Sequence, residues 1–263
     1  MLLYLTLREL RSRYRRTVLG WTWSLLNPLA TALIFAAVFG SFFKVEPPPG
    51  VPSGVDTFWV FLLVGLLPWS MFSVALNTSI DAIVGNSALI HKVKFRRSAL
   101  VTSACIAASI TLLIELAVAT VLITIFERPM VLAYAAWVPL IVVLQLGFCV
   151  GLSLILASLN VYFRDVQYLM GIVLLAWFYL TPIVYPITIV PEHWVVLDRH
   201  IPALELVELN PMTRFVTAMR EVMYDMRSPS LATLLELLAI ALVSLVVGAY
   251  VFRRLEGRFA EEL

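Results

Sequence analysis

Long apolar runs, broken by short clusters of arginine and proline, set the layout of this chain. A helix that crosses the hydrocarbon core of a bilayer needs about 20 mostly apolar residues at 1.5 Å each. Six stretches qualify: 25–43, 57–80, 99–126, 134–159, 168–185 and 231–252. The third is long enough to tilt. The fifth is short and ends in a proline-punctuated segment. Asn27-Pro28 lies near the start of the first, where a kink is expected once proline frees a carbonyl. Trp21 and Trp23 flank it at interface depth.

Two further regions carry a pattern of their own. Ahead of the first span, Leu3, Leu7, Leu10 and Tyr14 recur at helical spacing beside Arg8, Arg11 and Arg15. That spacing predicts an amphipathic helix lying in the membrane interface over residues 1–20, or an ordinary basic anchor. Its basic region is too long for a signal peptide, and the apolar run after it is a full span. The segment 186–229 is long, apolar and broken by Pro191, Pro202 and Pro211. From Asn210-Pro211 a helical pattern begins, with Phe215, Met219, Val222 and Met223 on one face. It is too interrupted to span and too apolar for a free loop. Short helices dipping back into the outer leaflet fit it; a small extracellular cap is the alternative. The outer loop Pro47-Pro48-Pro49-Gly50 is irregular by composition.

Composition fits this picture. Hydrophobic residues make up 61% of the 263 and charged residues 14%, against about 45–50% and about 25% in soluble domains. The positions of the basic residues orient the chain. With the N-terminus inside, cytoplasmic segments hold Arg8, Arg11, Arg13, Arg15, Arg16, Lys92, Lys94, Arg96, Arg97, Arg164, Arg253, Arg254 and Arg258. The outer segments hold Lys44, Arg128, Arg199, Arg214, Arg220 and Arg227. The denser clusters belong inside, so both termini are expected in the cytoplasm. The expectation is an all-α membrane protein: one transmembrane domain over 1–263, six transmembrane helices, an N-terminal interface helix, and re-entrant helices between spans five and six.

The chemistry-bearing residues are few. The chain has no Gly-x-x-x-x-Gly-Lys-Ser/Thr loop for nucleotide. His91, His193 and His200 show no metal-ligand spacing, and no His and Asp stand ready to activate a serine. Cys105 and Cys149 lie inside apolar runs and read as small buried hydrophobes. Glu115 alone lies near the middle of a span; it is either hydrogen-bonded between helices or a coupling carboxylate. Phe35, Phe39, Trp59, Trp69, Phe72, Trp177, Phe178 and Tyr179 lie within the spans. Such faces suit stacking on sugar rings, at about 1 kcal/mol per contact, or ordinary packing and the interfacial belt.

Several segments carry a resemblance. Arg8-Glu9-Leu10-Arg11-Ser12-Arg13-Tyr14, then Leu19-Gly20-Trp21 and Trp23-Ser24-Leu25-Leu26-Asn27-Pro28, resemble the N-terminal signature of ABC-transporter permeases that export polysaccharides such as O-antigen, capsule, teichoic acid and galactan. Asn160-Val161-Tyr162-Phe163-Arg164-Asp165, Thr181-Pro182-Ile183-Val184-Tyr185, and Asn210-Pro211 with Arg220 are similar to later pieces of that family. The likeness covers essentially the whole chain. It implies a non-enzymatic permease subunit of the bacterial inner (plasma) membrane that moves a lipid-linked or end-modified polysaccharide out of the cytoplasm. It implies a second copy of the chain and two copies of a separate ATPase that binds ATP and magnesium, so that this chain itself needs no cofactor. Membrane lipid surrounds it, and nucleic acid has no role. By the same likeness, Arg8, Arg11, Phe163, Arg164 and Asp165 couple to the ATPase, and His91, Lys92, Lys94, Phe95, Arg96 and Arg97 form a cytoplasmic gate. Asn210, Pro211 and Arg220 belong to an outer gate. Phe35, Phe39, Trp177, Phe178, Tyr179 and Tyr185 are candidates for the substrate path. A permease of the same architecture for a drug or lipid-like molecule, and a membrane-embedded glycosyl- or acyltransferase, are the competing readings.

Overall fold

The order of apolar runs and breaks becomes a helical bundle, seen in a computed structural model that describes residues 2–13, 20, 22–42, 47–87, 95–127, 132–196 and 199–259. Helix α1 spans Leu2–Arg13 and α2 spans Thr22–Phe35, with Pro28 inside it. A π-helical stretch, Ala36–Phe42, continues α2 without a break. The expected first span is thus a composite of two windings, and it starts three residues before Leu25. Helices α3, Phe58–Ile80, and α4, Ser98–Phe126, match the second and third expected spans to within a residue. The fourth differs. A single turn, Leu132–Ala135, precedes α5, Trp137–Tyr162, so the long helix begins after Tyr134 and runs on past Leu159.

The fifth span also differs. Helix α6 covers Val166–Leu180 and stops there, five residues short of Tyr185. Pro182 disfavours helical backbone at Thr181, whose φ and ψ are −99° and 130°. At 1.5 Å per residue, the 15 residues of α6 reach only about 22 Å. The last long helix, α9, runs Leu231–Leu255, with Ser230 capping Thr233 N, and carries a 3-10 turn, Glu256–Arg258. Among the described residues, four helices, α3, α4, α5 and α9, are long and apolar enough to cross a membrane; the α2 region and α6 are shorter apolar helices.

Segment 186–229 folds into several short pieces. Ile187–Ile189 forms a 3-10 turn, and strands β1, His193–Val196, and β2, Arg199–Pro202, pair antiparallel with Val196 opposite Arg199. The β-branched Val195-Val196 pair suits extended backbone. This hairpin is a small addition to an otherwise helical fold. Helices α7, Ala203–Leu209, and α8, Pro211–Met223, follow. The expected face of α8 holds: Phe215, Met219, Val222 and Met223 are all fully buried.

Helix α3 is the axis of the bundle. It packs against α2, α4, α5, α6 and α8, while α9 packs chiefly on α5. Almost every residue from Val60 to Trp69 is buried on all sides, which explains why that run shows no polar face. Small polar side chains knit the centre: Ser79 Oγ lies 3.3 Å from Cys105 Sγ, and Cys105 lies 3.4 Å from Ser153 Oγ. Both cysteines are buried, as their apolar surroundings imply. Glu115 is buried at 6% exposure beside Pro28, Leu29, Leu63 and Leu67.

Helix α1 lies against α4. It buries Leu5 and Thr6, however, and leaves Leu3 and Leu7 exposed. The face expected to be its apolar anchor points away from the bundle. Tyr14 lies outside the described residues.

Candidate functional site

The alternation of helices puts two chemically opposite ends on the bundle. One end collects prolines and backbone carbonyls, the other arginines.

At the proline end, Pro182 ends α6 and leaves carbonyls without helical partners. Arg220, on the third turn of α8, satisfies them. Its Nη1 donates to Pro182 O at 2.6 Å, and its Nη2 donates to Ile183 O at 2.7 Å and to Phe61 O at 3.4 Å. The guanidinium carbon sits 3.6 Å from the centre of the Phe61 ring. The group is only 9% exposed, and a Cβ at Gly65 would press on it at 2.7 Å. Only glycine leaves that room.

Asn210 makes the companion joint. As N-cap of α8 it accepts from Met212 N at 3.0 Å, while Pro211 takes the first helical position where no N–H is needed. The same Oδ1 accepts from Trp177 Nε1 at 2.7 Å, and Nδ2 donates to Thr181 Oγ1 at 2.9 Å. Asn210 and Arg220 therefore clamp the end of α6 from both ends of α8. The loop before α3 closes over the far end of α8. Ser53 Oγ donates to Tyr224 O at 2.6 Å, Val51 N donates to Asp225 Oδ1 at 3.3 Å, and Tyr224 Oη donates to Pro48 O at 3.0 Å. Burial pushes the Tyr224 hydroxyl up to about 12, so it stays a donor. Burial also raises the Asp225 carboxyl, against the pull of Arg227.

From this joint a string of rings runs through the bundle. Phe39 and Phe35 lie 5.8 Å apart, Phe35 and Phe178 6.3 Å, Phe178 and Trp69 5.6 Å, Trp69 and Phe72 5.4 Å, and Phe72 and Trp177 5.0 Å. The string links α2, α6 and α3. Of the six path candidates, Phe35, Phe39, Trp177 and Phe178 are half-buried in it. Tyr179 is 61% exposed on the open face of α6. Tyr185 is half-buried and donates to Tyr179 O at 2.8 Å.

The arginine end is open. Arg8 donates to Asn86 Oδ1 at 2.8 Å, joining α1 to the 3-10 turn after α3. Phe163, Arg164 and Asp165, in the α5–α6 turn, and Arg11 are exposed. Arg97 donates to Glu256 O at 2.7 Å, Tyr162 Oη to Leu255 O at 3.0 Å, and Asn160 Nδ2 to Ile80 O at 3.0 Å. Phe95 and Arg97 are half-buried and Arg96 is exposed. His91, Lys92 and Lys94 lie outside the described residues. Among the described residues, no three His, Cys, Asp or Glu side chains gather to hold a metal ion.

One feature went unread in the sequence. Gly147 and Gly151 on α5 meet Ala241, Ser244 and Gly248 on α9. A Cβ at Gly151 would overlap the Ser244 backbone, and one at Gly248 would overlap the Gly151 backbone. The signal was the Gly-x-x-x-Gly spacing inside an apolar run.

Residues 2–224 match the family described as ABC-2 type transporter. The chain belongs to that family. All of the chain aligns with 95% of the O-antigen export system permease protein RfbA of Myxococcus xanthus, at 31% identity. The protein of the same name from Klebsiella pneumoniae aligns over 100% of this chain and 95% of its own length, at 29% identity. The polysialic acid transport protein KpsM of Escherichia coli aligns over 96% of this chain and 92% of its own, at 27% identity. As an ABC-2 type chain with several apolar helices, it is a multi-pass membrane protein.

Proposed function

We propose that this chain is the membrane-spanning subunit of an ATP-driven exporter that carries a lipid-linked or end-modified polysaccharide across the bacterial inner membrane. The observation that carries this reading is its end-to-end likeness to permeases named for O-antigen export. Six spans complete it: the α2 region with its π-helical continuation, α3, α4, α5, α6 with the clamped turn after it, and α9. The arginine end faces the cytoplasm together with both termini, and segment 186–229 forms re-entrant gate helices on the outer side.

Two copies pair, with the path between them. The open apolar face of α6 supports this: only Met170 and Leu174 are buried along it, while Leu169, Ile172, Leu175 and Tyr179 are exposed. A polymer sliding past exposed rings such as Tyr179 gains modest, renewable stacking, which favours passage over capture. Two copies of an ATPase chain bind at the arginine end and hold the ATP and magnesium. Arg8, Arg11, Phe163, Arg164 and Asp165 are the docking elements. When the ATPases close, rigid pieces docked on them move as bodies and shift α1 and the α5–α6 turn. Phe95, Arg96 and Arg97, with His91, Lys92 and Lys94, gate the cytoplasmic mouth.

The test is isolation of the tagged chain from native membranes, with identification of what accompanies it. An equimolar ATPase with a phosphate-binding loop is expected. A chain that emerges alone, under conditions that keep other membrane complexes whole, would sink the reading. In the intact exporter, Tyr179→Ala is expected to lower polymer export while ATP hydrolysis continues; unchanged export would return Tyr179 to ordinary lipid contact.

A further inference from the structure

A cavity of about 900 Å³ opens at the arginine end, between the start of α4, the last turns of α5 and the end of α9. Arg96, Arg97 and Arg253 line it, with Leu154 and Phe252 as apolar wall. Glu256 is the one acid among the described lining residues, so positive charge dominates. Arg97 is already held in place: it donates to Glu256 O at 2.7 Å and lies 5.9 Å from the centre of the Phe259 ring. A volume of this size takes a small ligand or a lipid headgroup.

A second hollow of about 460 Å³ adjoins it and shares Ala249 and Arg253. It runs along α9 past Tyr250 to Val246. From Arg253 to Val246 is about 10 Å along the helix. Val246 and Tyr250 are 68% and 60% exposed, and Arg254 stands 5.5 Å from the centre of the Tyr250 ring. The two hollows adjoin: a basic chamber at the membrane surface and, rising from it, an exposed apolar face of α9, a helix long enough to cross the bilayer.

We propose that this shape is a binding site for one anionic phospholipid, with its phosphate between Arg97 and Arg253 and an acyl chain along Val246, Ala249 and Tyr250. Guanidinium forks suit phosphate oxygens. Arginines that merely keep an end of the chain in the cytoplasm need not converge on one chamber. The exporter's own cargo is the weaker occupant, because α9 packs on α5 and α8, whereas the string of rings lies on α2, α3 and α6. A bound lipid would bridge the start of α4 to the end of α9. The proposal rests on the chain lying in a bilayer and on nothing about which polymer it moves.

Native mass spectrometry of the full chain in detergent, with whatever partner accompanies it, tests the site. Phosphatidylglycerol is expected to bind one per chain, about tenfold tighter than phosphatidylcholine. Arg253→Glu should weaken phosphatidylglycerol about tenfold or more, and Arg253→Lys should keep most of the binding. Ala249→Trp fills the junction of the two hollows without changing charge and should weaken it several-fold. Arg258→Gln removes a nearby charge that does not line the cavity and should leave binding unchanged. Equal losses for Arg258→Gln and Arg253→Glu, or no loss for Ala249→Trp, would overturn the proposal in favour of a diffuse surface field. A polyprenyl diphosphate that displaces equimolar phosphatidylglycerol would overturn it in favour of cargo.

Discussion

The two ends of this bundle solve different problems with the same side chain. At the proline end Arg220 is spent inward. It meets three backbone carbonyls and an aromatic face and is almost wholly covered. At the other end Arg11, Arg96, Arg164, Arg253 and Arg254 are exposed. A buried guanidinium is costly unless its donors are used, so the first arrangement fixes one backbone geometry. Exposed arginines add little to stability and stay available to whatever docks. One end is a closed joint, the other an open basic surface. A transporter driven from one side needs both, since motion delivered at the surface moves the far end only if the far end is held as a unit.

Breaking the joint should have the largest effect. Arg220→Met keeps the bulk but strands the carbonyls of Pro182 and Ile183 and removes the longer contact to Phe61 O, which lies inside α3. Leaving buried acceptors unpaired costs roughly 1–3 kcal/mol each, so a loss of about 3 kcal/mol or more is expected in unfolding of the detergent-solubilised chain. Arg220→Lys should recover only part, because an ammonium cannot present the planar fork that spans adjacent carbonyls. A Met variant as stable as the wild type would show that the clamp carries no weight.

Asn210 comes next. Asn210→Ala removes the cap of α8 and the acceptor for Trp177, for an expected loss of about 2 kcal/mol. Asn210→Asp keeps Oδ1 for Met212 and Trp177 but removes the donor to Thr181, and should cost about half as much. Equal losses for both variants, read from the same unfolding curves, would mean that the bond to Thr181 carries the joint and capping carries little.

Between the two ends, Gly151→Val should separate α5 from α9. The added methyls meet the Ser244 backbone, which has no rotamer to escape into, so a loss of about 1–3 kcal/mol is expected. If thermal unfolding is unchanged, the close approach of the two helices is not holding them.

These features differ in how far they could be read from the chain. The long spans were legible because a bilayer demands length and apolarity, and α3 and α4 need nothing else. Helix α6 was misjudged by five residues, since apolar Ile183 and Val184 continue the hydropathy although Pro182 has already ended the helix. The face of α8 was legible from Phe215, Met219, Val222 and Met223, because it packs as an ordinary amphipathic helix. The role of Arg220 was not. Its partners are carbonyls of Pro182, Ile183 and Phe61, and a carbonyl leaves no mark in a sequence. In helix α1 the spacing of Leu3 and Leu7 marked a face for the membrane interface, and both are exposed, whereas the contact with α4 through Leu5 and Thr6 left no pattern to read.

The smallest stability effect belongs to Asp165, and there the comparison is sharpest. Asp165 occupies the N-cap position of α6, where a carboxylate ordinarily accepts from the first turn. Here it makes no capping bond. Its backbone carbonyl accepts from Tyr168 and Leu169 instead, both at 3.0 Å, and a substitution leaves those bonds intact. Only its interaction with the helix dipole remains to be lost, worth a few tenths of a kcal/mol at an exposed site. Asp165→Ala should therefore unfold within about 0.5 kcal/mol of the wild type. If the exposed turn is a docking element, the same variant should cut ATP hydrolysis by the assembled complex several-fold, as expected when a charge-assisted contact is removed. Normal ATP hydrolysis with Asp165→Ala would remove the residue from that interface and leave Arg164 and Phe163 to carry the coupling.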